Sequence, residues 1–214
     1  MVGKKPYVVA EWGPYGWWEV QKTEWGASIE QNSTEKAETY EKSIKAITSD
    51  SVNCLGSYVF LWGQKQEHTS TWFGLFTEAG DETQVMDVLI KNWSNKDPNN
   101  FAPSIDKFRI NEKTSKDNIK IKENSEMKAS VIIEDKDKDN LIYEWMIIPE
   151  STDKKTGGDA EKSPKPVRGI FNKTDKNKNK VTFKTPGKGE YRLFLFVHDG
   201  NGNVATGNIP FKVI

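Results

Sequence analysis

The chain lacks several things, and each absence closes an option. It holds a single cysteine, Cys54, so it can form no internal disulfide and no cysteine metal cluster. Cys54 sits in the apolar run Cys54–Leu61 and reads as a small buried hydrophobe. Only two histidines are present, and the formal net charge is zero. No global field therefore draws it to nucleic acid or to a membrane surface. No apolar run approaches membrane-spanning length. The basic start Met1-Val2-Gly3-Lys4-Lys5-Pro6 is followed only by the short apolar stretch Tyr7–Ala10, which Glu11 ends. The sequence as written is thus expected to carry no export signal. Hydrophobic residues make up 35% and mean hydropathy is −0.73, but an 11% aromatic share supplies material for a core.

What is present is unevenly spread. Residues 1–102 hold 9 Lys+Arg against 14 Asp+Glu, and the rest hold 22 against 17. Seven of the eight tryptophans precede residue 94, with Trp145 alone beyond. Such a shift predicts two domains, divided near residue 102.

Hydrophobic periodicity supports that division. Tyr7–Ala10 is short, apolar and β-branched, as expected of a buried parallel strand. A loop rich in Gly, Pro and Trp runs from there to about Gln31. Asn32 or Ser33 can cap a helix starting near Thr34, whose apolar face is Ala37, Tyr40, Ile44 and Ile47. A second strand spans Leu55–Leu61, and a second helix covers roughly Glu82–Trp93, with Val85, Met86, Leu89 and Trp93 as its stripe. This order makes two βα units, the building blocks of a parallel sheet. Two strands cannot close a barrel, so more are required beside them.

Lys96–Asn100 reads as a linker. After Pro103 the pattern becomes all-β, with short apolar or alternating runs at Ile105–Ile110, Ile119–Ile121, Ala129–Ile133, Leu141–Trp145, Lys180–Phe183, Tyr191–Val197 and Ile209–Val213. About seven strands separated by turns predict a β-sandwich. Tyr191, Leu193, Leu195 and Val197 should face one way, and the polar stretch Ser151–Lys180 should be a long mobile loop.

Glu11 is the first residue with possible chemistry. A carboxylate at the C-terminal end of a parallel strand stands where barrel enzymes place catalytic groups. Retaining glycosidases pair a nucleophilic carboxylate with a second that acts as acid and base, about 5 Å away. The neighbouring Trp12 offers an indole face to a pyranose. Trp17, Trp18, Trp25 and Trp72 lie on loops at the same end, either as sugar platforms or as loop packing. Gln64, Glu67 and His68 follow the second strand, either to bond substrate hydroxyls or, for Glu67 with His68, to fix a loop. His68 has one nearby carboxylate and no second histidine at ligand spacing, so no zinc site is expected, and nothing calls for a cofactor. Asp135–Asn140 begins like a calcium loop, but Asn140 and Met146 stand where an EF-hand needs Gly and Glu. A polar turn or a weak interdomain calcium site are the readings left.

Lys5-Pro6-Tyr7-Val8-Val9-Ala10-Glu11-Trp12-Gly13-Pro14 resembles the seventh-strand segment of clan-A glycoside hydrolases, especially the family 2 type. Gly56-Ser57-Tyr58-Val59-Phe60-Leu61-Trp62 resembles the eighth strand, whose terminal Trp floors the sugar site. The resemblance covers about residues 4–102 and implies Glu11 as nucleophile, with Trp12 and Trp62 against the sugar. The Asn-Glu of the fourth strand, which would supply the acid/base, has no counterpart here, because strands one to six are absent. Asp139–Trp145, Thr185-Pro186-Gly187 with Tyr191-Arg192-Leu193, and Val197-His198-Asp199 resemble an immunoglobulin-like PKD domain, with Trp145 as its core tryptophan. The expected architecture is therefore α/β followed by all-β: a partial (β/α)8-barrel segment in residues 1–102 and an Ig/PKD-like sandwich in 103–214. The implied partner is carbohydrate, in an extracytoplasmic or secreted setting. A chain supplying strands one to six, or self-association, would cover the incomplete barrel. The alternative is a non-catalytic carbohydrate-binding or structural, adhesive module.

Overall fold

The computed structural model describes residues 5–155, 159–172 and 177–214. It is mostly β, with two helices and ten strands among these residues. Strands β1 (Tyr7–Trp12) and β2 (Cys54–Val59) pair in parallel as a two-stranded sheet. Helix α1 (Ser33–Ser49) starts on a capping box: Asn32 accepts from the amides of Thr34 and Glu35, and Glu35 accepts from the Asn32 amide. Helix α2 (Gln84–Ser94) begins two residues later than periodicity predicts. Glu82–Thr83 is drawn instead into a short strand, β3. The helix ends at Asn95, whose φ of 57° places it in the left-handed region that Asn tolerates. Trp12, Tyr40, Ile44, Leu75, Met86 and Leu89 form the core behind β1.

No barrel forms among the described residues. Both parallel strands keep one face open, with Val8 48%, Leu55 71% and Tyr58 70% exposed. Strands buried on both faces are the rule for parallel sheets, so this pair stands uncovered where such a sheet would have neighbours.

The second half contains two sheets facing one another across a single core. One is β4 (Ser104–Ile110), β6 (Glu126–Glu134) and β8 (Lys180–Lys184), all antiparallel. The other has β7 (Ile142–Pro149), β9 (Gly189–His198) and β10 (Asn203–Val213) in antiparallel order. To β10 are added β5 (Lys120–Ile121) and β3, both parallel. Ile105, Val131, Trp145, Phe183, Leu195 and Phe211 meet between the sheets. Leu193, Leu195 and Val197 point into this core together, as their alternation predicts, and Trp145 donates its indole N–H to the Lys178 carbonyl.

The opposite face of β9 and β10 is buried too, because the N-terminal half lies on it. There a polar network joins the halves. Glu30 is ion-paired with Lys36 at 2.6 Å and accepts from Thr69, Thr71 and Asn208. Burial pushes the Glu30 carboxyl up. The charge of Lys36, hydrogen bonds from Lys36 and Thr69, and the charge of Arg192 outweigh this and hold it below its ordinary value. Arg192 forks onto Glu150 at 2.7 and 2.9 Å and donates to Asn208 and to the Ser28 carbonyl. Each nitrogen of the Arg192 guanidinium and the Lys36 ammonium thereby meets an acceptor, as burial requires. At Gly207 of β10 a Cβ would lie 3.2 Å from Ile105 and 3.4 Å from Asn32, so the missing side chain leaves little spare room beside the contact with the N-terminal half.

The 151–180 stretch departs from its reading as a free loop. Residues 156–158 and 173–176 lie outside the described set, as do Met1–Lys4. In the remainder Val167, Ile170 and Phe171 pack on the two-sheet core, and the Val167 amide bonds the Ile147 carbonyl. Apolar residues scattered through a lysine-rich stretch were enough to anchor it. Asp135–Asn140 is a turn between β6 and β7 that clasps the linker. Asp137 accepts from the Phe101 amide, Asp139 accepts from Asn100, and the Lys136 ammonium sits 3.9 Å over the Phe101 ring.

Candidate functional site

Glu11 lies at the C-terminal end of β1, where the pairing with β2 shifts register between Val9 and Trp12. That irregularity breaks the strict in-out alternation, and Ala10 and Glu11 are both exposed. An irregular strand end can re-aim a side chain in this way. Glu11 opens into a cleft of about 550 Å3 walled by Trp12, Trp17, Trp18, Phe60 and Phe73. The loop after β1 is held tightly to the end of β2. A Cβ on Gly13 would stand 2.7 Å from the Phe60 carbonyl oxygen, which already accepts the Tyr40 hydroxyl at 2.6 Å.

The other carboxylates of the cleft are engaged. Glu19 accepts from the Gly16 amide at 2.7 Å. Glu67 accepts from the Trp17 indole at 3.1 Å and from Lys65 at 2.6 Å. The Glu11 side chain has no hydrogen bond or ion pair to any described residue, and it is the one carboxylate of the cleft of which that is true. Both of its oxygens are free to accept from a hydroxyl or to attack an electrophilic carbon. Lys155 reaches the same cleft from the second half, its ammonium held by the Ala160 carbonyl.

The sequence-predicted residues separate into distinct groups. Glu11, Trp12, Trp17, Trp18 and Glu67 come together in this cleft. Trp12 is nearly buried, 5.3 Å from Tyr40, and forms the base of the wall, whereas Trp18 is 61% exposed and edges onto Trp17 at 5.3 Å. Trp72 is fully buried and donates to the Tyr15 carbonyl, so it packs the loop and offers no surface to a ligand. Trp25 is half-buried and its indole nitrogen is enclosed, with no partner among the described residues.

His68 is also buried, with a left-handed φ of 59°. Its ring stacks on Trp17 at 4.3 Å, and its amide donates to Glu161 at 2.7 Å. Burial, then the charge of Lys154, holds its pKa below the usual histidine value. Trp62 is 61% exposed and does not line the Glu11 cleft. It packs edge-on against Phe76 at 5.2 Å. Gln64 donates to the Ser70 carbonyl and lines a different cavity.

No family model and no curated protein matches this chain. Phe60, Phe73 and Lys155 were not singled out from the sequence. Phe60 lay within the apolar strand read over Leu55–Leu61, just past the observed end of β2 at Val59, and Phe73 lay beside Trp72, but Lys155 had no local signal because it arrives from the other half. Among the described residues no group of histidine, cysteine and carboxylate side chains is arranged to hold a metal ion.

Proposed function

We propose that this chain is the carbohydrate-processing end of a larger sugar-hydrolase barrel. On this reading, β1, α1, β2 and α2 are its last two βα units, followed by an Ig/PKD-like sandwich. Glu11 is the nucleophile of a retaining glycosidase. The carrying observation is the single unengaged carboxylate at the C-terminal end of a parallel strand, inside an aromatic-walled cleft. The uncovered face of β1 and β2 supports the same reading, since strands one to six would lie there.

In such a site the Glu11 carboxylate attacks the anomeric carbon, and the glycosidic bond breaks as the ester forms. Departure of an ordinary alcohol needs a proton, and the acid that gives it belongs to the missing strands. The chain alone should therefore not turn over simple aryl glycosides.

A second reading, a non-catalytic carbohydrate-binding module, is favoured by the exposed Trp18 and by the bonds that already engage Glu19 and Glu67, the other described carboxylates of the cleft. The two part on an activated substrate. A 2,4-dinitrophenyl 2-deoxy-2-fluoroglycoside has a leaving group that needs no acid, so a panel of these should label the chain. Peptide mapping should place the adduct on Glu11, and Glu11→Gln should lose it with its melting unchanged. Retention of the chain on polysaccharide gels that Trp18→Ala abolishes, without any adduct, would convert the assignment to the binding module. Neither adduct nor retention would defeat both.

A further inference from the structure

A second cavity, of about 220 Å3, opens between the loop around residues 70–79 and the outer face of β7 and β9. It shares no wall residue with the Glu11 cleft. Its floor includes Phe196 and His198 of β9, whose rings follow one another at 6.5 Å, nearly parallel at 15°. Phe76 forms part of the wall, and the exposed Trp62 lies against Phe76.

The polar groups are set around these rings. The Glu144 side chain is 57% exposed, with His198 Nε2 3.9 Å away. His198 is held from its other side by Asp81, at 3.0 Å from Nδ1. Gln64 is fixed by its bond to the Ser70 carbonyl, and Thr206 and Ser70 add hydroxyls.

No lysine or arginine lines the cavity, while Glu78 and Glu144 do. Phosphate, sulfate and uronate ligands are thereby disfavoured. A ring-sized space, aromatic surface and planar carboxylate, amide and imidazole groups suit a ligand with an apolar face and a rim of hydroxyls. We infer that this cavity binds a neutral sugar ring, with Phe196 and Phe76 against its apolar face and Glu144, His198 and Gln64 on its hydroxyls.

The inference does not depend on Glu11 being a nucleophile, and its test keeps the two apart. Methyl glycosides of glucose, galactose and mannose are titrated against the full chain by saturation-transfer NMR. At least one should bind saturably. Glu144→Ala should weaken it about tenfold or more, the loss expected when a hydrogen bond to a charged group is removed. Phe196→Ala should do the same, and every titration is run in a Glu11→Gln, Trp18→Ala background, so that binding and its loss are read from this cavity and not from the Glu11 cleft. Glu144 is exposed enough that its variant keeps the fold, which its melting temperature verifies. The inference is overturned if no glycoside binds saturably, if Glu144→Ala binds as wild type does, or if tetramethylammonium binds more tightly than every glycoside.

Discussion

Asp87 is buried in the first turn of α2, and its carboxylate accepts the Ala102 amide at 3.0 Å, just where the chain passes between its halves. Burial pushes its pKa up to about 7. The Ala102 bond and Lys136 oppose this, and Glu82 and Asp137 reinforce it. An unfolded aspartate titrates near 3.9. The folded state therefore holds this proton more tightly. The resulting stability is present in full below about pH 4 and is lost as pH rises towards 7. Taken whole, the difference amounts to about 4 kcal/mol above pH 8. Residual hydration and the helix N-terminus favour the anion, which reduces the expected loss to about 1–3 kcal/mol.

Asp87→Asn keeps the shape and the acceptor for Ala102 but cannot ionise. Urea unfolding at pH 5 and pH 8.5 measures both proteins. The variant should be the more stable one at pH 8.5, and the gap between them should widen with pH. Parallel pH dependence in the two proteins, or a variant weaker by the same amount at both pH values, would refute the assignment.

Two further outcomes follow from burial and exposure. Leu55 and Tyr58 leave an apolar, unpaired strand face, and such edges recruit strands. The isolated chain should therefore self-associate with concentration, and Leu55→Lys should shift it towards monomer in sedimentation; identical profiles would show that this face is not the contact. Arg192→Ala should cost about 3 kcal/mol in chemical unfolding, the low end for a broken buried pair, because Glu150 loses its bidentate partner and keeps only the partly exposed Lys154 at 3.6 Å. A loss under about 1 kcal/mol would show that water enters there freely.

Periodicity made most elements readable. Ala37, Tyr40 and Ile44 marked the buried stripe of α1, and Leu193, Leu195 and Val197 marked the inner face of β9, because one-sided burial imposes a regular repeat. The contact between halves was not readable that way. Arg192, Thr206 and Asn208 look like an outward, solvated set, yet all three are buried. One cue existed: from Val204 to Phe211 no charged residue appears, which is unusual for a strand with a wet face. At the candidate site Glu11 and its neighbours were legible because they are local in the chain. The fates of Trp72 and Trp62 were not, since a loop tryptophan is directed by whatever packs behind it. The one is wholly enclosed and the other lies outside the Glu11 cleft, exposed against Phe76.

The sequence distances across the Glu30 and Arg192 network also set a schedule for synthesis. Asn208 lies 178 residues after Glu30, and Arg192 lies 164 after Ser28. At roughly 5–20 residues per second, the ribosome needs on the order of ten to thirty-five seconds to bridge the longer gap. For that interval Glu30 and Lys36 are already made but must remain hydrated, and the surface that will close over them does not yet exist. The nascent N-terminal half must therefore wait in an open state, and folding that depends on such distant contacts is slow. Synonymous changes that alter the pace of translation between these segments would lengthen or shorten that wait, and with it the time during which β1 and β2 are exposed to other chains.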